Sequence, residues 1–224
     1  MKEVDTNFKD REEAGRILAN RLTKYANQKP IVLGLPRGGV PVAFEVAKAL
    51  KAPLDVFVVR KLGTPGQEEL AMGAIASGGV RVLNTPVIEA LGISEDEIET
   101  ETRKERAEAE RRERLYRGNR PQLNVEERTV ILVDDGIATG STIKAGIAAL
   151  KQLKVGRIVV AVPVAPTSTI EELKMEADEV VCVSTPEPFV AIGFWYEEFP
   201  QTTDEEVRDL LKKAEMKREA VAGA

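Results

Sequence analysis

Two adjacent carboxylates, Asp134 and Asp135, stand directly after a continuous apolar run at residues 130–133. A run of this kind is typical of a parallel strand that is covered on both faces. A short loop with glycine and hydroxyl side chains follows the acids, and apolar residues then recur at helical spacing. The loop includes Gly136, Ala138, Thr139, Gly140, Ser141 and Thr142, and the helical positions are Ile143, Ile147 and Leu150. The pattern predicts a strand, an acid pair, a tight loop and the start of a helix.

The chemistry of this stretch favours a ligand with two different ends. The first backbone N–H groups of a helix attract anions, and the hydroxyls of Thr139, Ser141 and Thr142 add donors. Carboxylates repel a bare phosphate but accept hydrogen bonds from sugar hydroxyls. We therefore expect a molecule such as ribose 5-phosphate, with its phosphate at the loop and its hydroxyls at Asp134 and Asp135. The alternative, a strand capped by two solvated acids, explains less of the pattern.

The whole stretch resembles the phosphoribosyl-diphosphate (PRPP) binding motif of the type I phosphoribosyltransferases, in which four apolar residues, two acids and a Thr-Gly loop open a helix. The resemblance implies that Asp134 and Asp135 bind the ribose 2- and 3-hydroxyls and that the loop binds the 5-phosphate. The implied loop residues are Ala138, Thr139, Gly140, Ser141 and Thr142. Hypoxanthine-guanine members place an aspartate at the position of Ala138, so the chain is more similar there to adenine- and orotate-type members.

Cationic residues and glycines follow two other predicted strands, at residues 31–35 and 54–59. Because ligands bind at the carboxyl ends of strands in open α/β sheets, we expect these residues to form a cationic rim suited to a diphosphate. The family resemblance implies a pyrophosphate contact for the loop after the first strand. The candidate catalytic residues are then Arg37, Lys61, Asp134 and Asp135, with Gly38, Gly39 and Arg60 as further substrate-binding candidates. The alternative is an ordinary strand–helix turn with solvated cations.

Glycine and small residues dominate the chain after Lys61. Residues 63–69 have the composition of a loop, and residues 71–79 are small and glycine-rich before an apolar stretch at 80–83. This predicts a mobile loop that leads to a hairpin. The family resemblance implies that such a loop closes over the substrate and excludes water. A surface loop without that role is the alternative.

A strongly charged helix is predicted at residues 94–117, with Ser94 and Glu97 as a capping box and Gly118 as its stop. Glutamate–arginine pairs recur along it at i,i+4 spacing, in the order that favours a helix. Few apolar residues interrupt the charges, so we interpret it as a solvated helix. A dimer contact or a basic lid is the alternative.

Aromatic residues cluster at residues 189–199, after the last predicted strand. Trp195 and Tyr196 are candidates to stack on a planar base, with Gln201 and Asp204 as weaker candidates for its edge. The alternative is a satellite core packed against a terminal helix at residues 203–217.

Composition excludes several classes of function. The chain has 224 residues, a net charge of −5, one cysteine and no histidine. The negative charge argues against a nucleic-acid coat or a membrane-surface protein. The lack of histidine excludes Ser-His-Asp chemistry and histidine metal ligands. We see neither a signal peptide nor a membrane-spanning run, so the cytoplasm is the expected location.

Together these features predict one α/β domain over residues 1–224, with an open, mostly parallel sheet flanked by helices, a charged helical insertion, and a C-terminal aromatic segment plus helix. The expected reaction is transfer of ribose 5-phosphate from PRPP to a nitrogen nucleophile, such as a nucleobase or related heterocycle, with release of pyrophosphate. Mg²⁺ is expected as cofactor, held mainly by the substrate with weak or indirect help from Asp134 and Asp135. A homodimer is one assembly that the chain could form. The alternative function is a regulator that binds PRPP or a nucleotide without turnover.

Overall fold

The computed structural model describes residues 7–222, along which helices and strands alternate for most of the range. The helices are α1 (Arg11–Arg21), α2 (Gly39–Leu50), α3 (Thr85–Leu91), α4 (Glu95–Arg117), α5 (Ser141–Gln152), α6 (Thr167–Lys174) and α7 (Asp204–Ala222). The strands are β1 (Ile31–Gly34), β2 (Leu54–Val56), β3 (Val59–Thr64), β4 (Gln67–Ala76), β5 (Val80–Leu83), β6 (Thr129–Val133), β7 (Arg157–Val164) and β8 (Glu179–Ser184). Within the described range, no helix is both long enough and apolar enough to cross a membrane.

Five of the described strands form a parallel sheet in the order β2-β1-β6-β7-β8, which confirms the predicted fold class. Successive side chains of a strand point to opposite faces, so β6 contributes to two cores. Val130 and Leu132 lie in the core that α5 covers, whereas Ile131 and Val133 lie in the core that α1 and α2 cover. Because both faces are covered, the whole strand is apolar.

A second sheet corrects two predictions. The strand predicted at residues 54–59 ends at Val56, and β3 then starts at Val59 in an antiparallel sheet with the order β3-β4-β5. The predicted loop is also wrong, since most of residues 63–76 lie in β3 and β4, which are joined by a turn at Pro65 and Gly66. Closure of this segment over a substrate stays a prediction.

The small residues of β4 have a packing reason. A Cβ atom on Gly73 would lie 2.3 Å from the carbonyl oxygen of Val82 on β5, so no side chain fits there. Gly73, one of the small residues that indicated a loop in the sequence, is therefore needed for the close approach of β4 and β5.

The charged helix α4 is buried along one face. It begins with the predicted capping box of Ser94 and Glu97, and Gly118 ends it with φ +60°. The buried side chains on α4 are those of Ile98, Thr102, Glu105, Ala109, Tyr116 and Arg117. The interpretation as a fully solvated helix is therefore wrong, because α4 packs against the second sheet and α7.

A buried ion pair fastens the end of α4 to the parallel sheet. Arg117 Nε donates to Asp55 Oδ1 at 2.8 Å and to Oδ2 at 3.0 Å, and Arg117 Nη2 donates to the Val56 carbonyl at 2.8 Å. Both charged side chains are 7% exposed. Each charge loses its water on folding, so each depends on the other for compensation.

Removing one partner of this pair should destabilise the fold strongly. Asp55→Ala should lower the free energy of unfolding by about 3–5 kcal/mol, because Arg117 would remain buried without its carboxylate. Urea unfolding followed by circular dichroism measures the loss. Glu110→Ala is the matched control, since it removes an exposed α4 pair with Arg114 at 3.6 Å, and it should leave stability almost unchanged. Equal losses in the two variants would contradict the assignment.

Candidate active site at the carboxyl edge of the parallel sheet

Two loops meet where β1 and β6 end. The strands pair with Gly34 beside Val133, so the chain leaves both strands at the same level of the sheet. The Leu35 N–H donates to the Val133 carbonyl at 2.9 Å and extends this pairing by one residue. Residues 35–38 then lead into α2, and residues 134–140 lead into α5. Open α/β sheets bind their ligands at this edge.

Gly38 and Gly39 allow the two loops to touch. A Cβ atom on Gly38 would lie 2.0 Å from Asp135 Oδ2, and one on Gly39 would lie 2.7 Å from the Val133 carbonyl oxygen. No larger residue fits at either position without moving its neighbour. The structure therefore places both glycines against the acid pair, where the sequence predicted a shared ligand site.

The two acids are crowded into a space that disfavours their charges. Burial raises the pKa of Asp134 well above its ordinary value, and the charge of Asp135 raises it further. Burial also raises the pKa of Asp135, although the guanidinium of Arg11 opposes the shift. The Asp135 N–H donates to Asp134 Oδ1 at 2.9 Å. Such a pair favours ligands that bring hydrogen-bond donors or positive charge.

The loop at residues 138–142, called the cradle from here on, lies at the start of α5. Gly140 has φ +75° and precedes the first turn of α5. Two contacts hold the loop: the Ile137 N–H donates to the Val164 carbonyl, and Thr169 Oγ1 donates to the Ala138 carbonyl, both at 2.9 Å. The side chains of Ala138, Thr139, Ser141 and Thr142 are exposed at this helix start. The cradle therefore presents its hydroxyls to solvent, as phosphate binding requires.

Lys61 lies on the cradle side of the site. It borders a cleft of about 510 Å³ together with Ser141 and Thr142, and the apolar walls include Val59 and Val82. The sequence had predicted Lys61 at the end of a parallel strand, away from the cradle, and this placement is wrong. Its strand, β3, belongs to the second sheet, which packs against α5.

The predicted cationic rim is divided in the structure. Arg37 is 38% exposed beside the glycine turn, with Nη1 at 3.9 Å from Asp204 Oδ1. Arg60 instead donates from Nε to Glu105 Oε2 on α4 at 2.7 Å. The three cations do not follow strands of one sheet, and Arg60 serves the contact between β3 and α4.

The aromatic segment forms a satellite core beside the acid loop. Tyr196 is buried, and its hydroxyl donates to the Asp135 carbonyl at 2.6 Å. Burial raises the pKa of this hydroxyl far above its ordinary value, so it keeps the proton that it donates. The other cluster members include Phe8, Ala14, Trp195 and Phe199, so the cluster packs on the N-terminal chain and α1. A satellite core is confirmed, but the terminal helix is not its partner.

Phe194 is the exposed ring of this segment. Its exposed fraction is 66%, whereas Trp195 is half-buried and meets Phe194 edge to face at 6.2 Å. The Asp204 carboxylate accepts a hydrogen bond from the Tyr116 hydroxyl at 2.7 Å. It would have to share this structural bond with the edge of a base in its predicted role.

A family model for the phosphoribosyl transferase domain matches residues 3–198. The chain belongs to this phosphoribosyl transferase family. It is 47% identical over 207 residues to two Mycobacterium tuberculosis proteins, from strains CDC 1551 and H37Rv, which both bear the provisional name phosphoribosyl transferase. The crystal structure of TT1426 from Thermus thermophilus is similar with a TM-score of 0.84 and 42% identity, over 92% of this chain and 98% of that one.

Membership in the phosphoribosyl transferase family confirms the resemblance seen in residues 130–142. The matches to the Mycobacterium proteins cover 92% of this chain but 47% of each relative, so the chain spans about half their length. The names of these relatives specify no acceptor. The acceptor must therefore be argued from the geometry of this chain.

Arg11 is the site residue that sequence reasoning missed. Arg11 is the first residue of α1, and its Nε donates to Asp135 Oδ2 at 2.8 Å. The two residues are 124 positions apart, and no local pattern connects them. The sequence contained one weak signal, namely an arginine in the first turn of a helix. A cation there opposes the helix dipole, which suggests that it is compensated by a partner elsewhere in the fold.

The contact between Gly38 and Asp135 can be tested by one methyl group. Gly38 has φ −60° and ψ −31°, which suit alanine, so Gly38→Ala tests the steric contact without backbone strain. Displacement of the Asp135 carboxylate should weaken binding of ribose 5-phosphate about tenfold or more, measured by calorimetry.

Gly92→Ala is the control, since open space surrounds that glycine. Its φ of +60° predicts a small loss of stability with unchanged binding. Wild-type affinity in Gly38→Ala would mean that Asp135 does not contact the ligand from this position.

Proposed function

We propose that the chain is a phosphoribosyltransferase that transfers ribose 5-phosphate from PRPP to a nitrogen nucleophile and releases pyrophosphate. The observation that carries the proposal is the contact of three parts at one sheet edge. The acid pair Asp134 and Asp135, the cradle at residues 138–142 and the turn at Gly38 and Gly39 lie at the ends of two paired strands. Each part suits a different portion of PRPP.

The proposed binding mode follows the charges of the site. The 5-phosphate takes the N–H groups and hydroxyls at the start of α5. The ribose hydroxyls donate to Asp134 and Asp135. The pKa values of both carboxyl groups are raised by burial, so their negative charges lack enough hydrogen-bond donors or cations around them. The diphosphate faces the turn that carries Arg37 and Gly38, where the guanidinium of Arg37 supplies a cation.

In the proposed reaction the bond from ribose C1 to the diphosphate oxygen breaks and a bond from C1 to the acceptor nitrogen forms. The acceptor nitrogen gives its proton to water or to the departing diphosphate. Positive charge develops at C1 in the transition state. The acids hold the ribose, and Arg37 with Lys61 stabilises negative charge on the phosphates. The chain contains no histidine, so a protein base would have to be another residue type.

Mg²⁺ fits the donor set of this site as an ion carried mainly by the substrate. Within residues 7–222, no cluster of three or more His, Cys, Asp and Glu side chains could hold a metal ion by itself. Asp134 and Asp135 supply two carboxylates, and Arg11 already engages one oxygen of Asp135. We therefore propose that these acids contribute weakly or through water, with most ligands from substrate oxygens. When bound, the ion neutralises charge on the leaving diphosphate.

The proposed acceptor is a planar heterocycle, and Phe194 is the ring that could cover it. Phe194 is exposed, whereas the rings of Trp195 and Tyr196 pack in the satellite core. The same segment reaches the acid loop, since a Cβ atom on Gly136 would lie 2.6 Å from Ile192 Cγ2. An exposed aromatic ring in a segment that reaches the acid loop suits stacking on a base.

Binding of PRPP tests the central claim. In the presence of Mg²⁺, the protein should bind PRPP, and the double variant Asp134→Asn plus Asp135→Asn should lose about a hundredfold or more in affinity. Calorimetry measures both constants. The control is Glu126→Gln plus Glu127→Gln, an exposed pair of adjacent acids before β6, at the opposite end of that strand from Asp134 and Asp135, which should bind like the wild type.

Turnover then separates an enzyme from a regulator. We expect release of pyrophosphate from PRPP with at least one member of a panel of purine, pyrimidine and related heterocycles. Tight binding of PRPP without release for any member would favour the non-catalytic regulator. Wild-type affinity in the double aspartate variant would remove the proposed ribose site altogether.

The placements of Lys61 and Arg37 predict different ligand preferences. Lys61→Ala should weaken binding of ribose 5-phosphate about tenfold, because Lys61 shares a cleft with Ser141 and Thr142. Arg37→Ala should instead weaken pyrophosphate and leave ribose 5-phosphate nearly unchanged. Calorimetry with the two ligands distinguishes the roles, with Lys151→Ala on the exposed end of α5 as the control. The same ligand profile in both variants would contradict two separate anion positions.

A further inference from the structure

Arg11 connects three distant parts of the chain at the acid pair. Its Nε donates to Asp135 Oδ2 at 2.8 Å, and its Nη1 donates to the Pro200 carbonyl at 2.7 Å. The guanidinium carbon lies 3.7 Å from the centre of the Phe199 ring. The side chains of Arg11 and Asp135 are 11% and 12% exposed, so little solvent screens their attraction.

The N-terminal chain is placed so that Arg11 arrives in this position. The Phe8 N–H donates to the Trp195 carbonyl at 2.9 Å, and the Glu197 N–H donates to the Phe8 carbonyl at 2.8 Å. Asp10 then caps α1 by accepting from the Glu13 N–H at 2.8 Å. Two backbone bonds and a helix cap therefore fix the residues immediately before Arg11.

The position of Arg11 is unfavourable for helix α1 taken alone. A cation in the first turn of a helix opposes the helix dipole, and acids are preferred there. The local cost is offset by a charge-assisted hydrogen bond to a buried carboxylate. A lysine could not form both bonds in this way, because it lacks the planar fork of the guanidinium.

The Asp135 carboxylate is enclosed on several sides. Gly38 packs on it, Asp134 is its neighbour in the chain, and Tyr196 binds the backbone carbonyl of the same residue. Arg11 engages Oδ2 of the two carboxylate oxygens. That contact orients the group and leaves Oδ1 as the oxygen that can accept from a ligand hydroxyl.

We propose that Arg11 is a positioning residue that holds the Asp135 carboxylate in the orientation required by a ribose hydroxyl. The inference rests on the proposed function, since it assumes that Asp135 binds ribose. Arg11 acts through Asp135 and does not itself touch the ligand. The N-terminal helix and the C-terminal aromatic segment are thereby coupled to sugar recognition.

Two ligands that share only the phosphate position test this role. Arg11→Gln should weaken ribose 5-phosphate about tenfold and change inorganic phosphate less than about twofold, because phosphate does not reach Asp135. Arg16→Gln is the matched control, since Arg16 lies on the same helix in an exposed pair with Glu12 at 2.6 Å. It should bind both ligands like the wild type. Equal losses for both ligands in Arg11→Gln, or no loss, would overturn the proposal.

A double-mutant cycle separates positioning from general damage to the fold. In the Asp135→Asn background, Arg11→Gln should cause little further loss of ribose 5-phosphate affinity, because the group that Arg11 orients is already altered. Full additivity of the two losses would contradict the role. Arg11→Lys keeps the charge and should retain part of the affinity for ribose 5-phosphate. If Arg11→Gln does not fold, Arg11→Lys replaces it in the test. A larger loss of affinity for ribose 5-phosphate than for inorganic phosphate in that variant supports the role, and equal losses contradict it.

The two proposals fail in different ways. A wild-type protein that does not bind PRPP or ribose 5-phosphate refutes the proposed function. A wild-type protein that binds ribose 5-phosphate, together with an Arg11→Gln variant of equal affinity, refutes only the role of Arg11.

Discussion

The direct packing of the Gly38–Gly39 turn on the acid pair is the constraint on which the site depends. The turn and the acids belong to neighbouring strands that end at the same level, and glycine removes the side chains that would separate them. Because of this contact, the proposed place for a diphosphate lies beside the proposed place for ribose hydroxyls. A turn with larger residues would move apart the two groups that, in the proposed function, bind one PRPP molecule together.

Desolvated charge is the second feature of the site. Asp134 and Asp135 are held together at a sheet edge where burial and mutual repulsion raise their pKa values. Among the described residues, Arg11 and the backbone N–H of Asp135 partly compensate these negative charges. The carboxylates can accept further hydrogen bonds, and a sugar with free hydroxyls can donate them. In the proposed function, the residues whose charges are disfavoured by burial are also those that select a hydroxyl-rich ligand.

The second sheet and α4 give the site its outer wall. β3 carries Lys61 to the side of the cradle, and β4 and β5 complete the cleft in front of α5. α4 covers the other side of this sheet and is fastened to β2 through Arg117 and Asp55. The charged insertion thus supports the wall that faces the ligand, through a contact remote from the ligand itself.

Local pattern in the sequence was enough to predict the strand at residues 130–133, the loop with Gly140 and the helix that follows, because the period of the apolar residues and the glycine positions act over a few residues. It was also enough to predict the α/β class and the family motif. Tertiary structure alone decided which charges meet. Arg11 reaches Asp135 across 124 positions, Arg60 turns to Glu105, and Lys61 joins the cradle through a second sheet. Small residues in β4 indicated a loop, although close approach to Val82 was the reason for them. The physical difference is the sequence distance over which each interaction acts. Periodicity and capping involve residues a few positions apart, whereas a buried charge pairs with a residue that only the folded chain brings close to it.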